Sequence, residues 1–267
     1  MTKFLPLYKF REVNELSIGS IINNTLWFSY VEKFNDPFEL FYDLTSGVSI
    51  QDFHSNLDLF LEFANPEHKF IKEDFEKLLG SMTTAEKEQT LFLLERALFP
   101  LHKSALERIK NGIKIFSLSK TNRHPLLWGH YADGLKGMCI EYDLNKQPEP
   151  LNIGYCDVDY TEKPFKLNLL EMLESGRRIH DYSDKIYATK NSVWGYEEEL
   201  RLISNDDVMK GNAYQLDKAV IRSICIGERM SNENQLKVVN AVKGRDIAIY
   251  KAIAIPSEFK VDIVEYN

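Results

Sequence analysis

At Ile113 the hydrophobic pattern of the chain changes period. Across residues 50–111 apolar residues recur every three or four positions. From there on they gather in short strand-like runs: Ile113 to Leu118, Gly137 to Tyr142, Leu151 to Tyr155, then 199–204, 221–227, 247–255 and 261–265. The first spacing builds one face of a helix, and the second suits a pleated strand. Helix patterns at Pro125–Gly134 and 231–243 interrupt the strands, and the links late in the chain are short enough for antiparallel pairing. This favours an α+β fold with a mixed or antiparallel sheet over a doubly wound one. No Gly-rich phosphate loop supports a Rossmann or P-loop arrangement.

The chain of 267 residues is read as a single domain in which the helical segment 50–111 is an insertion. Ahead of it, residues 4–10 read as a strand, Val13 to Ile22 as a helix stopped by Asn23-Asn24, and Leu26 to Ser29 as a second strand. Phe34-Asn35-Asp36-Pro37-Phe38 then reads as a turn, since Pro37 biases Asp36 away from helix. Within the insertion, Leu57, Phe60, Leu61 and Ala64 share one helix face, and Phe70, Phe75, Leu78 and Leu79 another. Thr83 to Glu86 has capping-box form, and Pro100 is expected to kink or divide the helix that follows. Residues 163–188 read as a mixed helical stretch.

The net charge of −7 and the lack of a Lys/Arg block give no bulk electrostatic case for nucleic-acid binding. A local basic groove from Lys185, Lys190 and Arg201, or from Arg177 and Arg178, stays open. Cys139, Cys156 and Cys225 sit in apolar or strand-like runs without zinc-ligand spacing, and are read as buried free thiols. No metal site is expected. The N-terminus lacks a signal-peptide core, and no apolar run approaches the ~20 residues of a membrane span, so a cytoplasmic protein is expected.

The chemistry-bearing stretch is Trp194 to Ile203, where three successive acids run into an apolar strand. If Leu200 and Leu202 pack, alternation sends Glu197, Glu199 and Arg201 to the opposite face together. The same spacing equally fits a solvated acidic turn. His130, four residues after Leu126, shares an apolar stripe with it, which makes a buried structural histidine the default. Trp128 and Trp194 read as core or wall.

Four signatures together resemble a widespread bacterial family classed as a domain of unknown function. They are Leu7-Tyr8-Lys9-Phe10-Arg11; Leu26 to Ser29 with Phe34 to Phe38; Leu127-Trp128-Gly129-His130-Tyr131-Ala132 with Gly137 and Cys139; and Trp194-x-Tyr196-Glu197-x-Glu199-x-Arg201. More distantly, their order is similar to ADP-ribosyltransferases, which implies a split sheet and an enzyme that consumes NAD as substrate, as in a bacterial toxin or defence effector. The resemblance puts Glu199 against the positively charged ribose formed when the nicotinamide bond breaks, with Glu197 orienting a nucleophile or taking its proton. Tyr8 or Phe34 would stack on nicotinamide, and Arg201 or Arg11 would pair with the diphosphate. Ser29, Asn35, Asp36, His130, Lys190 and Trp194 complete the expected NAD-binding set. The acceptor would be a nucleic acid, a protein or a small molecule. Two other readings use the same residues: a metal-dependent nuclease built on Asp36, Glu197, Glu199 and Lys190, and a non-catalytic nucleotide-binding module.

Overall fold

In a computed structural model, residues 4–45, 48–56, 58–59, 72–168 and 185–266 are described. Leu57, Phe60, Leu61, Ala64, Phe70, Arg177 and Arg178 lie outside them. In chain order the strands are β1 (Leu7–Arg11), β2 (Thr25–Trp27), β3 (Ser29–Tyr30), β4 (Tyr42–Thr45), β5 (Ile113–Ser119), β6 (Met138–Tyr142), β7 (Gly154–Asp157) and β8 (Asp159–Thr161). They continue as β9 (Phe165–Asn168), β10 (Thr189–Asn191), β11 (Glu199–Asn205), β12 (Ala213–Gln215), β13 (Ile221–Gly227), β14 (Ala248–Ile255) and β15 (Lys260–Glu265). The fold is α+β with a mixed sheet. No helix among the described residues is long and apolar enough to cross a membrane.

The chain falls into two compact units: Met1–Pro37, Gly112–Tyr160 and Lys190–Asn267 form one, and Phe38–Asn111 with Thr161–Thr189 the other. The segment 50–111 belongs wholly to the second unit, which it shares with residues 38–49 and 161–189. There β4 pairs with β9 in parallel, so part of the stretch expected to be helical at 163–188 is strand. Thr83 and Glu86 form the expected capping box, with the Thr83 amide donating to Glu86 Oε2 at 2.7 Å and the Glu86 amide to Thr83 Oγ1 at 3.3 Å. The helix Thr84–Gly112 runs through Pro100 undivided. Pro100 removes one donor, and the bonds of the remaining turns hold the helix together.

The first unit carries the large sheet, ordered β15-β14-β13-β6-β1-β5-β11-β7, with β3 also on β5. Only β13 and β14 run parallel, joined by the helix Asn232–Val242. Asn14 caps the first helix, Glu15–Asn23, so this helix starts two residues later than its hydrophobic pattern implies, and Asn24 ends it in the left-handed region with φ 52°. One sheet face buries Leu7, Phe116, Ile140, Leu202 and Ile224 against Ile21 and Val238 of these two helices. The other buries Phe10, Cys139 and Cys225 under Leu127 and Trp128 of the helix Pro125–Tyr131. All three cysteines are free thiols, although Cys156 is only half-buried.

That helix presents Leu127 and Trp128 to the sheet and leaves Leu126 and His130 exposed, the reverse of the expected stripe. Seven residues give two turns, too few repeats to fix the phase from sequence. The helix ends in a tight loop. Asp133 (φ 48°) takes the left-handed position expected of Gly134, which follows at φ 60° and donates to the Trp128 carbonyl at 3.0 Å. Two glycines let strands approach this loop. The Gly227 amide donates to the Gly137 carbonyl at 3.0 Å, and a Cβ on Gly227 would lie inside contact distance of the Leu135 carbonyl oxygen. Gly227→Ala is therefore expected to lower unfolding free energy in urea by about 3 kcal/mol, because backbone cannot yield as a side chain can.

The sheet is continuous in order but not in pairing. β1 is registered with β6 along its whole length, and with β5 at Tyr8–Ser119 alone. Beyond that pair β1 and β5 diverge, and Lys9 spans the gap by donating from Nζ to the Ser117 carbonyl at 2.7 Å. Lys9 and Arg11 both lie over the Phe116 ring, at 4.8 and 5.9 Å.

Candidate functional site

A cleft of about 400 Å³ opens beside the Tyr8–Ser119 junction. Five parts of the first unit reach it, among them β5 with Ser117 and Ser119 and the helix Pro125–Tyr131 with His130 and Tyr131. β1 supplies Tyr8, and the turn after Val31–Lys33 supplies Phe34 and Asn35. The stretch from β10 to β11 supplies Lys190 from β10, Glu197 from the turn that follows and Glu199 from the start of β11. The volume is within the range of small-molecule sites.

Glu199 opens β11 opposite Ser119 and is 3% exposed. Its Oε1 accepts from Arg201 Nε at 3.0 Å, and its Oε2 from Lys190 Nζ at 3.1 Å and Arg201 Nη2 at 3.3 Å. The Glu199 amide donates to Tyr160 Oη at 2.8 Å. Burial alone would raise its pKa. Arg201 and Lys190 outweigh burial and hold the carboxyl at about 2, so it is ionised at neutral pH.

Glu197 is not on the strand. It ends the 3₁₀ turn Ser192–Glu197, and Glu198 at φ 44° turns the chain before β11 begins. Simple alternation from Leu200 therefore does not place it. Glu197 joins the group because that turn folds back: its Oε2 accepts from Lys190 Nζ at 2.6 Å and its Oε1 from Tyr131 Oη at 2.5 Å. Tyr131 in turn accepts from Asn35 Nδ2 at 3.3 Å. A chain of hydrogen bonds thus runs from Asn35 through Tyr131, Glu197 and Lys190 to Glu199 and Arg201. Burial first, and then the bond to Glu197, push the Tyr131 hydroxyl well above its ordinary pKa, so it stays a donor.

The cleft brings together Tyr8, Phe34, Asn35, His130, Lys190, Glu197 and Glu199. His130 is exposed at its edge, with Nδ1 3.0 Å from Tyr196 Oη. Trp194 stands behind Lys190, whose ammonium lies 5.2 Å from the ring. Arg201 is fully buried behind Glu199 and presents nothing to a ligand. Arg11 points to the opposite sheet face, over Phe116. Neither arginine is therefore placed to meet a diphosphate. Ser29 pairs with Ile115, two residues along β5 from the nearest cleft residue, Ser117, and does not line it. Asp36 is buried outside the lining.

Sequence reasoning missed Lys9, Lys33, Ser117, Tyr131 and Tyr160. Tyr131 carried a signal, since it sits in the Trp-Gly-His-Tyr run. Lys33 is exposed, lines the cleft and makes no ion pair among the described residues. Burial first, and then the Arg11 charge, press the Lys9 amine down to about 7.

Residues 127–202 match the model of a family described as a protein of unknown function (DUF2971). No curated protein and no solved structure matches the chain. The matched segment begins on the helix that carries His130 and Tyr131 and ends on the strand that carries Glu199 and Arg201. Over this stretch, which holds both glutamates and Lys190, the chain is similar to the DUF2971 family.

Proposed function

We propose that this chain is an NAD-consuming enzyme of the ADP-ribosyltransferase kind. The observation that carries the reading is the meeting, in one cleft, of an ionised Glu199 with Tyr8 of the first strand and Asn35 of the early turn. Loss of nicotinamide leaves an oxocarbenium-like ribose, and a carboxylate fixed in a cleft lowers the energy of that cation. Glu199 supplies the carboxylate. Glu197, held between Lys190 and Tyr131, faces the same space and takes the proton of an incoming nucleophile. Tyr8 and Phe34 offer rings for the nicotinamide. Lys33 at the cleft wall replaces the two arginines as the partner for the diphosphate.

The nuclease reading is less well served. The Lys190 ammonium already occupies the space between the two carboxylates where a divalent cation would sit. The full pairing of Glu199 also suits a nucleotide-binding pocket without turnover, so that reading is kept as the second. Incubating the full chain with NAD, alone and with nucleic-acid or protein acceptors, separates the two. Free nicotinamide supports the enzyme. Saturable NAD binding with no nicotinamide released over many hours supports the pocket and rejects the enzyme.

A further inference from the structure

Tyr8 borders two hollows. One side of it lines the cleft, and another side lines a second hollow of about 310 Å³. Strand register builds the second one. Tyr8 lies opposite Glu141 on β6, and Glu141 lies opposite Ser223 on β13, so alternation puts all three on one sheet face. Tyr250 of β14 and Glu265 of β15 extend the lining across the sheet, and Arg123 closes it from the loop before Pro125.

The charges in this hollow are unequal. Glu141 is half-buried, and its Oε2 accepts from the Ser223 hydroxyl. Among the described residues no lysine or arginine pairs with Glu141 or with the exposed Glu265. Arg123, the one cation in the lining, is tied to Asp262. A carboxylate that lines a hollow and has a hydroxyl but no cation as its partner attracts a cationic ligand. Burial and the Glu141 charge push the Tyr8 hydroxyl up to about 12, so Tyr8 adds no further negative charge at neutral pH. The rings of Tyr8 and Tyr250 suit a cation as well.

We infer that this second hollow, walled by Tyr8 and Tyr250 and floored by Glu141, binds a cationic nitrogen donor, a guanidinium or a primary ammonium group. The site goes beyond the NAD reading and stands or falls independently of it. The test is calorimetric titration of the full chain with agmatine, which carries both groups. Glu141→Gln should weaken binding about ten-fold or more, since the neutral amide loses the charge and keeps the shape. Glu265→Lys, changed at an exposed position that does not threaten folding, should weaken it several-fold. Competition by methylguanidinium alone or by butylammonium alone identifies which end is held. Absence of binding at millimolar agmatine overturns the proposal. So does affinity unchanged in Glu265→Lys and in a Glu141→Gln variant with parent-like thermal unfolding. Neither result touches the nicotinamide assay.

Discussion

Glu199→Gln should reduce nicotinamide release from NAD by about a thousand-fold or more if the chain consumes NAD as proposed, because the amide keeps the shape of the side chain and loses the charge that would face the ribose cation. It should also destabilise the fold. Arg201 is fully buried and Lys190 nearly so, and both donate to Glu199. Neutralising the acceptor leaves buried cations undercompensated, at a cost of about 3 kcal/mol. Loss of turnover alone would therefore be ambiguous. The double variant Glu199→Gln with Arg201→Met removes the ambiguity. Deleting both partners of a buried pair recovers stability, since neither is left unpaired. Thermal unfolding should return most of the way to the parent, while nicotinamide release stays at the level of the single variant. Turnover that recovers together with stability would show that Glu199 is structural, and the enzyme reading would be lost.

Much of the sheet was legible because its strands are short runs rich in apolar and β-branched residues. β13 and β14, and β11 from Leu200 onward, appear where the hydrophobic pattern puts them, within a residue or two. The caps were also local and readable, as Asn24 and Thr83–Glu86 show. The site was legible in composition but not in geometry. Glu197 reaches Lys190 only because Glu198 adopts a left-handed conformation, and nothing in three consecutive glutamates marks which one will turn the chain. Arg201 looked like a ligand contact because its identity and spacing were visible and its complete burial was not. Ser29 misses the cleft because its place follows from pairing with Ile115, a register set by residues more than eighty positions away. Tyr131 and Tyr160 enter through contacts 66 and 39 positions apart in the chain. Spacing along a strand predicts neighbours within that strand, whereas this site is assembled from five separate segments.

The same burial makes stability depend on pH in an unusual direction. Lys9 has an amine held at about 7, against an ordinary 10.5. Between those values the unfolded chain binds the proton and the folded protein does not, so stability rises with pH across the window. Below about 7 both states are protonated, and the folded state bears the whole cost of the half-buried ammonium. The slope approaches 1.4 kcal/mol per pH unit, or roughly 3 kcal/mol from pH 7 to 10. Other groups bound this rise. Burial pushes the Cys139 and Cys225 thiols above their ordinary 9, so their contribution is present below 9 and is lost as pH rises beyond it. Glu199 is depressed to about 2, so its contribution is present above about 4.5 and lost as pH falls toward 2. Tyr8 is raised to about 12, so its contribution is present below 10 and lost as pH rises through 12. Maximum stability is expected near pH 9 instead of the usual neutral range. Lys9→Met keeps the stem of the side chain and removes the titration. Urea unfolding should then be flat from pH 7 to 8.5, with the variant more stable than the parent at pH 6 despite losing the bond to the Ser117 carbonyl. A parent that is already flat across that range, or a Lys9→Met variant that keeps the rise, would mean that the amine at the junction of β1 and β5 is hydrated and ordinary.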